Sequence, residues 1–245
     1  MNKKIEVQKV WESIWGRTAK GKLLKWDNRS HSVFEVLRNE VGDKNNKEIL
    51  EAGSGTGRIS LRLAEDGADV TLLDIAPTAT KIARSFFREE NLEAKIVRGD
   101  IFEIPFRDNL FDVVWNAGVI EHFSEKDRVL VLKDMIRVCK KNGLIISLNP
   151  FSGAIFYRIG KWIAERTNKW QFGYEKPMVT LREYMTNNRF YLTKEYPTAF
   201  YQQFYFLSFI PLLRYLVYII SIIRKILPGL NNLPGYFLVS VIKKR

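Results

Sequence analysis

The sequence predicts an α/β fold in which a mainly parallel sheet is covered by helices on both faces. Two observations carry this prediction. Short apolar runs typical of buried strands alternate with helix-like segments, and each run ends in a polar or glycine-containing turn. The first of them leads directly into a glycine-rich turn and then a helix-like segment, as at a ligand-binding strand end. The four runs are Ile49-Leu50, Val70 to Leu73, Lys95 to Arg98 and Phe111 to Trp115.

The glycine-rich turn is Glu51-Ala52-Gly53-Ser54-Gly55-Thr56-Gly57. Glycine at alternate positions permits positive φ and lets a ligand approach the main-chain N–H groups. Its G-x-G-x-G spacing differs from the G-x-G-x-x-G of dinucleotide-binding turns. The carboxylate of Glu51 would repel a pyrophosphate but attract an ammonium group. The turn therefore indicates S-adenosylmethionine rather than NAD, with a glycine-rich surface turn as the alternative.

Three further strand ends also present polar residues. Asp74 ends the second run, Asp100-Ile101 follow the third, and Asn116-Ala117-Gly118 follow the fourth. Each acid alone is equally consistent with a helix cap or a turn. Because the carboxyl ends of parallel strands open into one crevice, the four ends together predict a ligand site.

In these segments the chain resembles the class I S-adenosylmethionine-dependent methyltransferases, in particular the small-molecule group related to the ubiquinone and menaquinone methyltransferases. The resemblance covers roughly residues 47 to 150, in EAGSGTGR, LLDIAPTAT, GDIFEIPF, FDVVWNAGVIEHF and GLIISLNP. It implies a Rossmann-like, doubly wound sheet of seven mostly parallel strands with an antiparallel last strand. It also implies S-adenosyl-L-methionine as cofactor and S-adenosyl-L-homocysteine as product.

The resemblance also implies a role for each cofactor-binding residue. Glu51 would meet the methionine ammonium, Asp74 the ribose hydroxyls, and Ile75 the adenine. The remaining residues line the cofactor: Gly53, Ser54, Gly55, Thr56 and Gly57 with their backbone, Asp100 and Ile101 at the base, and Asn116, Ala117, Gly118 and Val119 beside the methyl donor.

His122 is the predicted catalytic residue, a base for an oxygen acceptor, with a structural histidine as the equal alternative. Ubiquinone O-methyltransferases carry a glutamate three positions before the equivalent of Glu121, and some bind a metal there. Gly118 occupies that position here, so no metal site is expected. The segment Asn116 to Val119 also differs from the motif of enzymes that methylate DNA bases, which disfavours such a substrate.

Charge and aromatic residues concentrate after Pro150. Residues 1 to 150 have a net charge of +2 and residues 151 to 245 one of +10, and the latter part holds 21 of the 32 aromatic residues. A basic, aromatic surface favours nucleic acid or a membrane. The apolar stretch Phe204 to Leu227 makes nucleic acid the less favoured partner.

The stretch 204 to 227 is predicted to lie on a membrane surface. Arg214, Tyr218, Ser221 and Lys225 recur at helical spacing, which places one polar stripe on an apolar helix. The residues between Pro211 and Pro228 span about 24 Å as a helix, less than the roughly 30 Å of hydrocarbon. The alternative is that this face packs on the protein itself or forms a homodimer.

The chain is divided into an N-terminal helical lid (1–46), a cofactor-binding core (47–150), a cap insertion (151–189) and the last two strands with the apolar insertion (190–245). The cap residues predicted to bind an anionic headgroup, diphosphate or sugar are Tyr157, Arg158, Lys161, Trp170 and Tyr174. For most of these the alternative is the solvated face of an amphipathic helix.

The predicted function is methyl transfer to a small or lipid-linked acceptor at a membrane surface. An RNA-binding methyltransferase and a non-catalytic membrane-binding module with a retained cofactor pocket are the alternatives. The single cysteine, Cys139, excludes an intramolecular disulfide, and residues 1 to 6 have no apolar signal sequence. A cytoplasmic, peripherally membrane-bound protein is therefore expected.

Overall fold

The computed structural model describes residues 3–18, 26–185 and 190–244 and contains one seven-stranded sheet with helices on both faces. Parts of the predicted lid, cap and last segment (1–2, 19–25, 186–189 and 245) lie outside the described residues. The strands are β1 (Glu48–Ala52), β2 (Asp69–Asp74), β3 (Lys95–Arg98), β4 (Phe111–Ala117), β5 (Cys139–Pro150), β6 (Phe190–Thr198) and β7 (Phe237–Lys244). The helices are α1 (Lys3–Thr18), α2 (Asn28–Val41), α3 (Arg58–Glu65), α4 (Pro77–Glu89), α5 (Glu125–Val138), α6 (Ile155–Arg166), α7 (Gln202–Tyr205) and α8 (Arg214–Ile226).

The strand order in the sheet is β3-β2-β1-β4-β5-β7-β6. The first five strands pair in parallel, whereas β7 runs antiparallel to both β5 and β6. The predicted mostly parallel sheet with an antiparallel last strand is confirmed. Because β1 lies beside β4, the chain reverses its winding direction there, and the carboxyl ends of these two strands border one crevice.

Alternate side chains of the strands enter two different cores. On β4, Val113 and Trp115 face the core that holds α2, α3 and α4, while Val114 faces the core under α5. All three side chains are buried. This period of two, with apolar residues on both faces, is what a central parallel strand requires.

Arg128 joins the turn after β4 to the cap segment. Its guanidinium, on α5, is 1% exposed. It donates hydrogen bonds to the main-chain oxygens of Ile120 and Phe123 at 3.1 Å, of Glu121 at 3.1 Å and of Lys176 at 2.9 Å. Hydrogen bonds from a charged donor to buried carbonyl groups are strong, so these bonds hold two distant parts of the chain in register.

The cap and the apolar insertion form one helical layer. The helix α6 approaches the turn Phe206–Phe209 so closely that a Cβ on Gly160 would lie 2.4 Å from the carbonyl oxygen of Phe206. Phe156 of α6 packs on Phe204 of α7 with 4.6 Å between ring centroids. The helix α8 contacts the same turn, which brings both insertions together beside the sheet.

The helix α8 is exposed along most of its surface. Its inward side is formed by the half-buried Val217, Ile220 and Arg224, together with Leu213 directly before the helix. The predicted polar stripe is exposed, and a separate apolar side faces solvent through Tyr215, Ile219, Ile222 and Ile226. Within the described ranges, no helix combines the length and apolar content that crossing a bilayer requires.

We predict that Arg128→Met lowers the free energy of unfolding by at least about 3 kcal/mol, because four main-chain oxygens, three of them in buried hydrogen bonds, lose a charged donor. Arg84→Met is the matched control. That arginine is exposed and makes one hydrogen bond within the described ranges, to the oxygen of Ile96, so its loss should change stability by less than about 0.5 kcal/mol. Urea denaturation followed by circular dichroism measures both values. Equal unfolding midpoints for the two variants would contradict the stabilising role assigned to Arg128.

Candidate functional site

The glycine turn between β1 and α3 depends on its glycines. Gly53, Gly55 and Gly57 have φ values of 82°, 53° and 69°, which other residues rarely adopt. A Cβ on Gly57 would also lie 2.0 Å from Cδ2 of Leu72. The main-chain N–H groups of Gly53 and Ser54 donate to the oxygen of Leu73, at 2.8 and 2.9 Å. These hydrogen bonds hold the turn against the neighbouring strand β2.

Asp74 connects two strand ends at the crevice. Its Oδ2 accepts a hydrogen bond from the N–H of Gly55 at 2.7 Å, and its Oδ1 accepts one from the N–H of Ala76 at 2.8 Å. Burial raises the pKa of this carboxyl against the lowering effect of these N–H donors. Each carboxylate oxygen has further lone pairs, so Asp74 retains the capacity to accept ribose hydroxyls.

Glu51 is a buried carboxyl at the end of β1. Ser60 donates a hydrogen bond from its hydroxyl to Oε2 of Glu51 at 2.6 Å. Burial raises the pKa of Glu51 to about 8, and the nearby Asp74 adds to the shift while Ser60 and Arg58 oppose it. A carboxyl with this pKa lacks a full counter-charge and is suited to receive a cationic group.

One cavity is lined by nearly all the residues predicted to bind the cofactor. They are Glu51, Gly53, Ser54, Gly55, Thr56, Asp74, Ile75, Asp100, Ile101, Ala117, Gly118 and Val119. Gly57 lies under the turn against Leu72, and Asn116 lies beneath the cavity floor, where its Oδ1 accepts from the hydroxyl of Ser147 at 2.7 Å. The side chain of Asn116 therefore shapes the floor and does not line the cavity.

The cavity suits the cofactor that the turn predicts. The hydroxyl of Ser54 is buried and, among the described residues, has no hydrogen-bond partner. A buried hydroxyl in a cavity wall needs a polar partner, which a bound ligand can supply. Together with the carboxyls of Glu51 and Asp74, it offers acceptors for the ammonium and hydroxyl groups of S-adenosylmethionine.

The helix α1 lies over the glycine turn. A Cβ on Gly55 would meet the indole of Trp15 at 2.6 Å, and Trp11 packs edge-on against the His122 ring with centroids 5.2 Å apart. The carboxylate of Glu12 accepts a hydrogen bond from the N–H of Thr78 at 3.2 Å. Aromatic side chains of α1 thus form part of the cavity wall.

His122 presents one ring nitrogen to the cavity. Its Nδ1 lies 2.7 Å from the carbonyl oxygen of Tyr174, and because a carbonyl can only accept, Nδ1 carries the proton. The lone pair of Nε2 is therefore free, 3.8 Å from Oε1 of Glu121. Burial lowers the pKa of His122 to about 4, which keeps the ring neutral at neutral pH.

Two carboxyls that the sequence analysis left without a role lie beside this ring. Glu121 is 1% exposed, and Glu175 comes from the cap, where it accepts a hydrogen bond from the hydroxyl of Tyr157. Burial and mutual proximity raise the pKa of Glu121 well above its usual range, and burial raises that of Glu175. Glu121 and Glu175 are far apart in the sequence, so no motif spacing predicts that they meet.

The five predicted substrate residues are scattered in the structure. Of these only Trp170 lines the cavity. Tyr157 is fully buried behind Glu175, and Lys161 is buried with its ammonium paired to Glu165. Arg158 and Tyr174 have exposed side chains, although the main chain of Tyr174 orients His122. The cavity wall near Trp170 is formed instead by residues that the pattern did not single out: Phe172, Glu175, Phe206 and Tyr236.

Comparison with known proteins identifies the core. A family model described as a methyltransferase domain matches residues 50–147. A glycine/sarcosine/dimethylglycine N-methyltransferase of Actinopolyspora halophila is 31% identical over 50% of this chain, which corresponds to 22% of that protein. A ubiquinone/menaquinone biosynthesis C-methyltransferase of Idiomarina loihiensis is 28% identical over 54% of this chain and 59% of its own length. The chain spans less than two thirds of both relatives.

The fold agrees over the whole chain with solved structures. The magnesium protoporphyrin IX methyltransferase of Synechocystis PCC 6803, solved with bound S-adenosylhomocysteine, superposes with a TM-score of 0.66 at 14% identity. The superposition covers 99% of this chain and 100% of that one. With the domain match over residues 50–147 and the strand order, these comparisons confirm the resemblance to the class I S-adenosylmethionine-dependent methyltransferases and support S-adenosylmethionine as the cofactor.

Proposed function

We propose that this protein transfers the methyl group of S-adenosylmethionine to a small or lipid-linked acceptor at a membrane surface. The observation that carries the proposal is an exposed apolar surface in direct contact with the wall of the cofactor cavity. One of the relatives described above is named an N-methyltransferase and the other a C-methyltransferase. The proposal therefore leaves the acceptor atom open.

Cofactor placement follows from the strand ends. In this proposal Glu51 receives the ammonium, Asp74 the ribose hydroxyls, and Asp100 with Ile101 the adenine. The segment Ala117 to Val119, which lies beside His122 and Glu121 in the cavity wall, would then border the methyl donor. Alignment of acceptor and methyl donor supplies much of the rate of such a displacement.

The chemical step needs little more than placement and a proton acceptor. The acceptor forms a bond to the methyl carbon while the carbon–sulfur bond breaks, and the electron pair of that bond neutralises the sulfonium. A hydroxyl acceptor passes its proton to Nε2 of His122, whose lone pair is free because Nδ1 donates to Tyr174. Burial keeps the His122 ring neutral at neutral pH, so this lone pair is unprotonated in the free protein.

The exposed apolar surface consists of one side of α6 and one side of α8. On α6, Ile155, Ile159 and Trp162 recur at helical spacing and are 63%, 44% and 52% exposed. On α8, Tyr215 and Ile226 are 80% and 69% exposed. A monomeric soluble protein rarely exposes apolar helix faces of this extent.

A membrane suits this surface better than water or nucleic acid. The cationic side chains of Arg158, Arg166, Arg214 and Lys225 are exposed on the same two helices. A helix that lies in the lipid interface combines an apolar side with flanking Lys and Arg, which attract anionic headgroups. A nucleic-acid groove needs the cations but not the aliphatic side chains.

The apolar surface leads to the cavity through Phe206. This residue lies in the turn that both helices contact, and its ring packs on Tyr157 and Tyr236 with centroids 4.8 and 5.0 Å apart. Phe206 also lines the cavity, whereas its neighbour Tyr205 is 63% exposed. A lipid-linked acceptor held at the membrane would therefore have only this aromatic layer to pass before reaching the methyl donor.

We predict that S-adenosylhomocysteine binds roughly tenfold or more tightly at pH 8 than at pH 6. The raised pKa keeps Glu51 protonated in the free protein, and the ligand ammonium favours the carboxylate, so binding releases a proton and tightens as pH rises toward about 8. In Glu51→Gln this dependence should disappear and affinity at pH 8 should fall. Isothermal titration calorimetry at both pH values measures this, and an unchanged pH dependence in the variant would exclude Glu51 as the ammonium site.

We predict that the protein cosediments with vesicles of phosphatidylcholine and phosphatidylglycerol, and that Ile219→Glu weakens this binding by at least about tenfold. The substitution removes an exposed apolar side chain and places a charge at the lipid boundary. Ser221→Glu makes the same charge change on the polar stripe of the same helix and should bind nearly as well as the unaltered protein.

Two results would overturn the membrane assignment. One is equal vesicle binding by the two variants, which would locate the lipid contact elsewhere. The other is that the unaltered protein does not bind vesicles but forms a dimer by light scattering, and that Ile219→Glu dissociates this dimer. That result would assign the surface of α6 and α8 to a second copy of the chain.

A further inference from the structure

Three side chains that accept hydrogen bonds converge in the cavity. Glu121 and His122 lie in the turn after β4, and Glu175 belongs to the cap segment. One acceptor atom of each residue lies within 4.8 Å of those of the other two. Nε2 of His122 is 3.8 Å from Oε1 of Glu121, too far for a hydrogen bond between them. The imidazole and this carboxyl therefore face the same space without bonding to each other.

The carboxyl of Glu121 has no cation in contact with it. Its side chain is almost fully buried, and Oε2 has no hydrogen-bond partner among the described residues. The guanidinium of Arg128 donates to main-chain oxygens, and the ammonium of Lys161 is paired within α6. Arg29 also lines the cavity but forms no ion pair with Glu121 in the described part of the chain. A buried carboxyl without a partner costs free energy, which a bound cation would recover.

Aromatic rings form the cavity wall beside these acceptors. Trp11 packs edge-on against the ring of His122, and its centroid lies 6.5 Å from that of Phe172. The rings of Phe172 and Trp170 follow with centroids 5.2 Å apart, and all three aromatic residues line the cavity. Aromatic faces attract cations, and their apolar surface suits a cation that carries an organic substituent. Acidic and aromatic groups together therefore favour an organic ammonium.

We propose that the methyl acceptor is a primary amine, bound as an ammonium by Glu121, Glu175 and Nε2 of His122, an inference that rests on the proposed methyl transfer. A primary ammonium has three N–H donors, one for each acceptor. Acceptors about 2.8 Å from its nitrogen, in tetrahedral directions, lie roughly 4.6 Å from one another. The separation of up to 4.8 Å among the three side chains agrees with this arrangement.

The same acceptors can prepare the amine for methylation. An ammonium has no lone pair, so it must first pass one proton to the carboxylate of Glu121. Burial raises the pKa of Glu121 well above its usual range, which favours this proton transfer. The nitrogen lone pair then forms a bond to the methyl carbon, and the electron pair of the broken carbon–sulfur bond stays on sulfur. The products are a methylated ammonium and S-adenosylhomocysteine.

The test is calorimetric titration of octylamine into the full chain saturated with S-adenosylhomocysteine, in buffer that contains EDTA. Octylamine should bind at least about tenfold more tightly than octanol, which has no charge to pair with the carboxyls. In Glu175→Gln the affinity for octylamine should fall at least about tenfold and that for octanol should not change. This variant keeps an oxygen that can accept from Tyr157. The control Glu183→Gln removes an exposed carboxylate outside the cavity and should bind both probes as the unaltered protein does.

Equal affinities for octylamine and octanol would overturn the proposal, and so would equal octylamine affinities of the unaltered protein and Glu175→Gln. Failure of the vesicle experiment would leave both comparisons intact and would contradict the membrane assignment alone.

The amine can come from a free compound or from a lipid headgroup, and product analysis distinguishes them. The chain is incubated with S-adenosylmethionine and either octylamine or vesicles of phosphatidylethanolamine, and methylated products are identified by mass spectrometry. Methylation of octylamine alone would assign a free amine, and methylation of the lipid would assign a headgroup. Methylation of neither would overturn the acceptor role of the amine.

Discussion

The buried guanidinium of Arg128 is the interaction on which the acceptor side of the site depends. It bonds to main-chain oxygens on both sides of His122 and to Lys176, one residue beyond Glu175. The two segments would otherwise be independent loops with polar backbone groups to satisfy. Because one rigid, charged guanidinium bonds to both segments, the imidazole of His122 and the carboxyl of Glu175 take up a defined relative position.

The cofactor side depends on a different constraint, the close approach of main chain at the glycine turn. Asp74 and Leu73 of β2 accept hydrogen bonds from the turn that follows β1, so the first two strand ends behave as one unit. The indole of Trp15 occupies the space that a side chain at position 55 would need. The helix α1, from outside the core, can therefore lie directly on the backbone of the glycine turn.

The cap gives this common core its individual character. The helices α6 and α8 place apolar and basic side chains on the outside, while the residues beneath them, Phe206 and Trp170, line the cavity. One layer of the structure thus meets both the proposed membrane and the proposed acceptor. The same layer contributes Glu175, whose carboxyl lies beside Glu121 and His122 in the cavity.

The sequence by itself determined the sheet and the cofactor, and it named many of the residues that line the cavity. Glycine spacing and polar strand ends are local signals, and parallel strands bring their ends to one edge whatever the detailed packing. The exposed stripe of α8 was likewise readable from helical periodicity. Tertiary structure alone decided the acceptor side. It turned Asn116 beneath the floor, buried Tyr157 and Lys161, and brought Glu175 to Glu121. Those outcomes depend on how the cap packs on the core, and no local pattern encodes contacts between residues so far apart in the chain.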